Sequence, residues 1–183
     1  MNARLVVISG PSGSGKSTIT RRLIEQVDIQ FSVSATTRDP RPGETHAAHY
    51  LFVSNDDFQA MIDSGELLEW AIYNGNCYGT PAAPVESANA RGRDVLLDIE
   101  IQGARQVKAH RPDALLIFIA PPSLEEMESR LRLRGDTSDE DIAERLNIAR
   151  TQLEEAPDLF DHIVVNKDLD VAVSEVVKLV TDR

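Results

Sequence analysis

Leu5-Val-Val-Ile-Ser-Gly-Pro-Ser-Gly-Ser-Gly-Lys-Ser17 decides how this chain folds. The first four residues are apolar without a break, which suits a strand covered on both faces. Gly10 to Ser17 then matches G-x-x-x-x-G-K-[ST] in full. Glycines let the backbone turn its N–H groups onto a phosphate, and a helix beginning near Lys16 adds the positive end of its dipole. The pattern predicts a nucleoside triphosphate site. Gly10, Pro11, Ser12, Gly13, Ser14 and Gly15 form the cradle. Lys16 reaches the β- and γ-phosphates, and the Ser17 hydroxyl binds Mg²⁺.

Outward from this stretch, short apolar runs alternate with helical patterns. Arg4–Ser9, Asp94–Asp98, Ala114–Ala120 and His162–Asn166 read as strands, and Ser17–Val27, Gln102–His110, Leu124–Arg134 and Leu169–Val180 as the helices that follow them. Continuous apolar strands spaced by helices predict an α/β fold, a parallel sheet flanked by helices. Ser54 with Asp57 and Ser123 with Glu126 have capping-box spacing. Thr80-Pro81 opens a helix that Gly92 closes. The stretch 32–92 is different: Phe31–Ala35, Tyr50–Val53 and Glu69–Tyr73 are short and mixed in polarity, and Asn74-Gly75 is a hairpin turn. It reads as an α+β lobe inserted into a core of 1–31 and 93–183. The charged stretch Gly135–Asp141 suits a short mobile lid, about 135–145.

The chain has 183 residues, enough for one domain with a sizeable core. Its net charge of −11 opposes binding to nucleic acid polymers and anionic membranes. Small anionic ligands stay open to it, because a local arginine cluster dominates within a screening length of about 8–10 Å. One cysteine, Cys77, allows no internal disulfide. A strand begins after four residues and no apolar run spans a bilayer, so neither a signal peptide nor a membrane anchor is expected. These features suit the cytoplasm. No oligomeric partner is evident.

Asp98 ends the apolar run Val95-Leu96-Leu97, the place for a carboxylate that orders Mg²⁺. Glu100, two residues on, either shares its face or caps the next helix. Transfer to an acceptor phosphate needs anion clamps more than a base, since that phosphate is largely ionised at neutral pH with a second pKa of about 6. Arg38, Arg41, Arg130, Arg134 and Arg145 are the candidate clamps. Arg130 and Arg134 share a helix face, where pairing with Glu126 is the bland alternative.

Ser32-Val-Ser-Ala-Thr-Thr-Arg-Asp-Pro-Arg-Pro-Gly-Glu44, His49-Tyr50, Leu68-Glu69-Trp70, Tyr78-Gly79-Thr80, Leu97-Asp98-Ile99 with Gln102-Gly103, and Ile119-Ala120-Pro121-Pro122-Ser123 resemble guanylate kinase, in order and in spacing, over essentially the whole chain. The resemblance implies a P-loop core whose inserted lobe holds GMP, with transfer of the γ-phosphate of ATP to GMP and dGMP in purine metabolism. It implies that Arg38, Arg41, Tyr50 and Tyr78 hold the GMP phosphate. Ser34, Glu69 and Thr80 would read guanine, and Asp98 would lie near base and metal. Arg38, Lys16, Arg134 and Arg145 would act on the transferring group, and Arg130 and Asn166 would lie in the ATP site. Mg²⁺, bound by Ser17 and Asp98, is the implied cofactor. Position 100 departs from the family, which usually has Asp there.

Guanine presents donors at N1 and N2 beside an acceptor at O6. A carboxylate accepts both donors, and hydroxyls donate to O6. Sites built this way reject analogues that leave groups unpaired, by ~10⁴-fold or more. Two alternatives share the core: a ribose 1,5-bisphosphate kinase, which has no guanine to read, and a non-catalytic guanylate-kinase-like interaction module, which lacks the intact Gly15-Lys16-Ser17 found here.

Overall fold

Leu5, Val6, Val7 and Ile8 are each no more than 1% exposed, and with Ser9 they form β1 (Leu5–Ser9). The computed structural model describes residues 3–134 and 138–182. After β1 come α1 (Lys16–Gln26), β2 (Gln30–Phe31), β3 (Ala35–Thr36), β4 (Leu51–Phe52), α2 (Asn55–Asp63), β5 (Leu67–Tyr73), β6 (Asn76–Pro81) and α3 (Ala82–Ala90). Then follow β7 (Val95–Asp98), α4 (Ile101–His110), β8 (Leu115–Ala120), α5 (Leu124–Arg134), α6 (Asp139–Leu159), β9 (His162–Val165) and α7 (Leu169–Thr181). Among the described residues the strands form two sheets, ordered β2-β7-β1-β8-β9 and β4-β3-β6-β5. No helix among them is long and apolar enough to cross a membrane.

The chain divides into two compact units, Met1–Val6 with Ile29–Ala114 and Val7–Asp28 with Leu115–Arg183. In the first, β2 and β7 pair in parallel, Gln30 opposite Val95. The Val95 N–H donates to the Arg4 carbonyl at 2.9 Å, and Asp94 accepts the Arg4 N–H at 2.8 Å. The smaller sheet belongs wholly to this unit. Asn74 and Gly75, at φ 47° and 73°, make the two-residue turn between β5 and β6, whose twist favours left-handed residues. Counting outward from that turn sets Tyr73 opposite Asn76 and Glu69 opposite Thr80. Ser54 caps α2 by accepting the Asp57 N–H at 3.0 Å, as its spacing predicts.

In the second unit β8 and β9 pair in parallel from Ile117–His162 to Ala120–Val165. Phe118 packs on Phe160 with ring centroids 5.1 Å apart. Met127 and Leu131 of α5 meet Ile142 and Ala149 of α6 in a buried cluster. On α7 the buried residues are Ala172, Val173, Val176 and Val180. Arg22 of α1 pairs with Asp170 of α7 at 2.5 Å.

Three local readings differ from the structure. Phe31–Ala35 is not one strand. It is divided between β2 and β3, which lie in different sheets, a division that short-range polarity does not signal. Thr80 does not open α3. It is buried in β6, and Pro81 takes the N-cap position. The long α6 has a visible start signal, Ser138 accepting the Asp141 N–H at 3.2 Å, so the second half of the predicted lid is helix. Residues 135–137 lie outside the described residues.

Candidate active site

Each unit carries half of the predicted machinery. In the second unit, β1 delivers its chain into the loop Gly10–Gly15. A Cβ on Gly10 would overlap the Ile119 carbonyl oxygen, so the loop runs against β8 only because that side chain is absent. Gly15 is the N-cap of α1 at φ 90°, a left-handed conformation that costs glycine little. Its carbonyl accepts the Thr18 and Ile19 N–H groups at 3.1 Å each. The first turn of α1 carries no acidic side chain, so no carboxylate of its own competes for the positive end of the dipole. Lys16 opens the helix, with the exposed Ser17 beside it.

Asn166 sits at the end of β9, 5% exposed, and donates from Nδ2 to the Ser14 carbonyl at 2.7 Å. In a trans peptide the C=O and the following N–H point in opposite directions. This bond therefore turns the Gly15 N–H away from Asn166. Arg130 pairs with Glu126 at 3.2 Å, the bland outcome of its spacing. Its guanidinium also donates to the Asn166 carbonyl at 3.2 Å, which ties α5 to the same loop. Arg145 of α6 reaches the Ser12 hydroxyl at 3.5 Å. Arg134 ends α5, and its side chain lies outside the described residues.

In the first unit the residues predicted for a phosphate gather around one guanidinium. Arg38 forms a two-point pair with Glu44, NH1 to Oε2 and NH2 to Oε1, both at 3.0 Å. It lies 5.4 Å from the Tyr50 ring centroid and 5.8 Å from that of Phe52. Tyr78 stacks edge-on against Tyr50 at 6.0 Å. The Glu44 pair raises the Arg38 pKa above its usual value, with a further contribution from the Tyr78 hydroxyl. Glu44 also accepts the Arg41 N–H at 2.7 Å, while the Arg41 side chain is exposed.

The residues predicted for a base gather around Glu69. Trp70 on the next position is exposed while Glu69 is buried, the alternation that a strand requires. Glu69 is 3% exposed, and Thr80, directly across the hairpin, donates its hydroxyl to Oε1 at 2.6 Å. Ser34, at the head of β3, is also buried. Burial pushes the Glu69 carboxyl up to about 7, and the Glu100 charge adds to the rise, while hydrogen bonds from Thr80 oppose it. Asp98 is half-buried at the end of β7. Glu100 holds the N-cap position of α4 without a side-chain capping bond.

Three residues here have roles that local patterns did not show. Glu44 lay inside the stretch that resembles the family, but no turn or helix rule links it to Arg38. Asn166 is expected in the ATP site, and its tie to the P-loop through the Ser14 carbonyl is not visible in the sequence. Gly103 lay in a recognised pair with Gln102, and its contact with Glu69 depends on how α4 packs on β5.

The guanylate kinase family model matches residues 2–183. The chain belongs to the guanylate kinase family. It is 51% identical to the guanylate kinase of Synechococcus sp. (strain CC9902) over 175 residues, covering 95% of this chain and 93% of that one. Against the guanylate kinase of Rhodococcus jostii (strain RHA1) the identity is 50% over 183 residues, covering 98% and 88%. The crystal structure of guanylate kinase from Anaplasma phagocytophilum superposes with a TM-score of 0.81 at 31% identity, covering 98% of this chain and 85% of that one.

Proposed function

We propose that this chain transfers the γ-phosphate of ATP to GMP and dGMP, giving ADP and the nucleoside diphosphate, in cytoplasmic purine metabolism. The observation that carries the acceptor is Glu69, a carboxylate buried beside the Thr80 hydroxyl with no cation among the groups that set its pKa. A buried carboxylate without a cationic partner costs stability, and the guanine N1–H and N2–H groups are donors that match it. Family membership and the intact P-loop support the donor.

In this reading the Gly10–Gly15 amides and the N-terminus of α1 hold the β-phosphate, and the Lys16 ammonium lies against the transferring group. Arg38, kept in place by Glu44 and the faces of Tyr50 and Phe52, meets the GMP phosphate with Arg41 and the Tyr50 and Tyr78 hydroxyls. Arg134 and Arg145 supply further positive charge to the transferring phosphoryl group. The GMP oxygen that attacks is already ionised, so these side chains orient and neutralise and none needs to act as a base. Arg130 and Asn166 keep the ATP loop in shape.

Mg²⁺ is the cofactor this reading implies. Ser17 and Asp98 offer a hydroxyl and a carboxylate, hard oxygen ligands of the type Mg²⁺ takes. Among the described residues no group of three or more His, Cys, Asp or Glu could hold a metal ion. When bound, Mg²⁺ neutralises charge on the β- and γ-oxygens.

The test is an assay of ADP release with AMP, GMP, dGMP, CMP, UMP and ribose 1,5-bisphosphate as acceptors. GMP and dGMP should be the efficient ones, and efficient turnover of ribose 1,5-bisphosphate in place of GMP would overturn the reading. Glu44→Ala is a sharper probe of the phosphate clamp. Loss of a two-point charged pair frees Arg38 and should raise the KM for GMP about tenfold, the low end of what a charge-assisted bond contributes. The KM for ATP should stay within about twofold, since the partners of Glu44, Arg38 and the Arg41 N–H, belong to the unit that holds the proposed acceptor residues. Steady-state kinetics with each substrate varied in turn measures both.

A further inference from the structure

The first turn of α4 has no side chain where it meets Glu69. A Cβ on Gly103 would overlap Glu69 Oε2 and stand 2.8 Å from its Cδ and 3.4 Å from its Cγ. The backbone does not explain this glycine. Gly103 is not among the positive-φ glycines, and any residue could adopt its conformation within α4. What it supplies is space.

The height of α4 over β5 is fixed one turn further along the same helix face. Gln106, three residues on, accepts the Trp70 N–H through Oε1 at 3.2 Å and donates from Nε2 to the Trp70 carbonyl at 2.6 Å. This double bond to the residue next to Glu69 leaves the strand little freedom to move away from the helix. Glu69 is thus held at both oxygens: the Thr80 hydroxyl on Oε1, and the bare surface of Gly103 against Oε2.

We infer that Gly103 is a specificity-determining position, whose missing side chain creates the seat in which the Glu69 carboxylate faces guanine. Gly103 acts through Glu69 and is a positioning residue. The inference rests on the GMP reading above and extends it to a residue on a different element. With a methyl group at 103 the carboxylate must rotate about its side chain or back out of the seat. Either movement breaks the paired acceptance of two guanine donors, while the P-loop unit is untouched.

The experiment compares Gly103→Ala, Glu69→Asp and the double variant with the wild type, each with GMP and ATP varied in turn. Gly103→Ala should lower kcat/KM for GMP at least about 100-fold and leave the KM for ATP within about twofold. Its thermal midpoint should hold or rise, because Ala favours helix over Gly. Glu69→Asp withdraws the carboxylate by one methylene, so the double variant should recover at least about tenfold in kcat/KM for GMP over Gly103→Ala alone. A Gly103→Ala enzyme within about threefold of wild type overturns the inference. A double variant no better than Gly103→Ala does so too, as does a parallel loss of ATP binding and thermal stability.

Absence of GMP turnover in the wild type would instead overturn the function. The seat is then judged by NMR titration of carboxyl-labelled Glu69 in the free protein. The charged group facing it is Glu100 at the α4 N-cap, with Thr80 on β6, and both are unchanged in Gly103→Ala. The midpoint should fall toward the ordinary carboxylate range as the group moves to water, and an unmoved midpoint overturns the seat.

Discussion

Lys16→Met is expected to lower kcat for phosphoryl transfer by at least roughly 10²–10³-fold, the loss seen when one preorganised charge-stabilising donor is removed from an active site. The reason is positional. Lys16 is the first residue of α1, directly after a glycine locked in a left-handed conformation and a peptide fixed by Asn166. Its side chain therefore leaves the backbone at the junction of the phosphate loop and the N-terminus of α1. Met keeps the length and helix propensity of the side chain and removes only the charge, so the loop and α1 should persist. GMP affinity should be unchanged, because every predicted GMP contact belongs to the other unit. Calorimetry with GMP and a coupled ADP-release assay measure the two quantities. Turnover within a few-fold of wild type would contradict the P-loop assignment.

The second large effect is a pH dependence set by Glu69. Its carboxyl, with a folded pKa of about 7, must be ionised to accept the guanine N1–H and N2–H. GMP binding should therefore weaken as pH falls through 7, about tenfold between pH 8 and pH 6. Binding at pH 7 should release about half a proton, read as different apparent enthalpies in buffers of different ionisation heat. Removing the neighbouring like charge with Glu100→Gln should lower the midpoint, since Glu100 contributes to the rise. Glu69→Gln should remove the component with a midpoint near 7, leaving only the phosphate's own titration near about 6, and cost roughly 2–4 kcal/mol in GMP recognition, because an amide N–H then faces a guanine donor.

Stability should follow the same group with the opposite sign. The folded pKa lies above the unfolded one, so the folded state holds the proton more tightly between about 4.5 and about 7. This contribution is complete below about 4.5 and is lost as pH rises through about 7. It amounts to about 3 kcal/mol in the ligand-free protein, given ~1.4 kcal/mol per pKa unit. Chemical denaturation at pH 5 and pH 8, wild type against Glu69→Gln, isolates it.

Local rules carried the reading of the elements a long way. The strand–loop–helix of residues 5–26 needs only an apolar run, three glycines and a helix pattern. The pairing of Glu69 with Thr80 was also within reach, because a two-residue Asn-Gly turn fixes hairpin register and counting does the rest. The end of Phe31–Ala35 was not, since whether a short mixed run joins one sheet or splits between two depends on partners elsewhere in the chain. The capping position of α3 was misread for a related reason: Thr80 is a good N-cap in isolation, but its hydroxyl is already engaged by Glu69 across the hairpin.

The sequence by itself determined the phosphate loop, the strand–helix alternation at β1, β7, β8 and β9, and the residue types available to an acceptor lobe, but not the long α6. Turn chemistry, periodicity and capping act over a few residues, and those features are short-range. Only the tertiary structure decided that Asn166 holds the Ser14 carbonyl across 152 positions of chain, that Glu44 grips Arg38, and that Gly103 leaves room for Glu69. Each of these depends on how elements pack or loops close, and close-packed interiors fix such contacts to fractions of an ångström that no local pattern encodes.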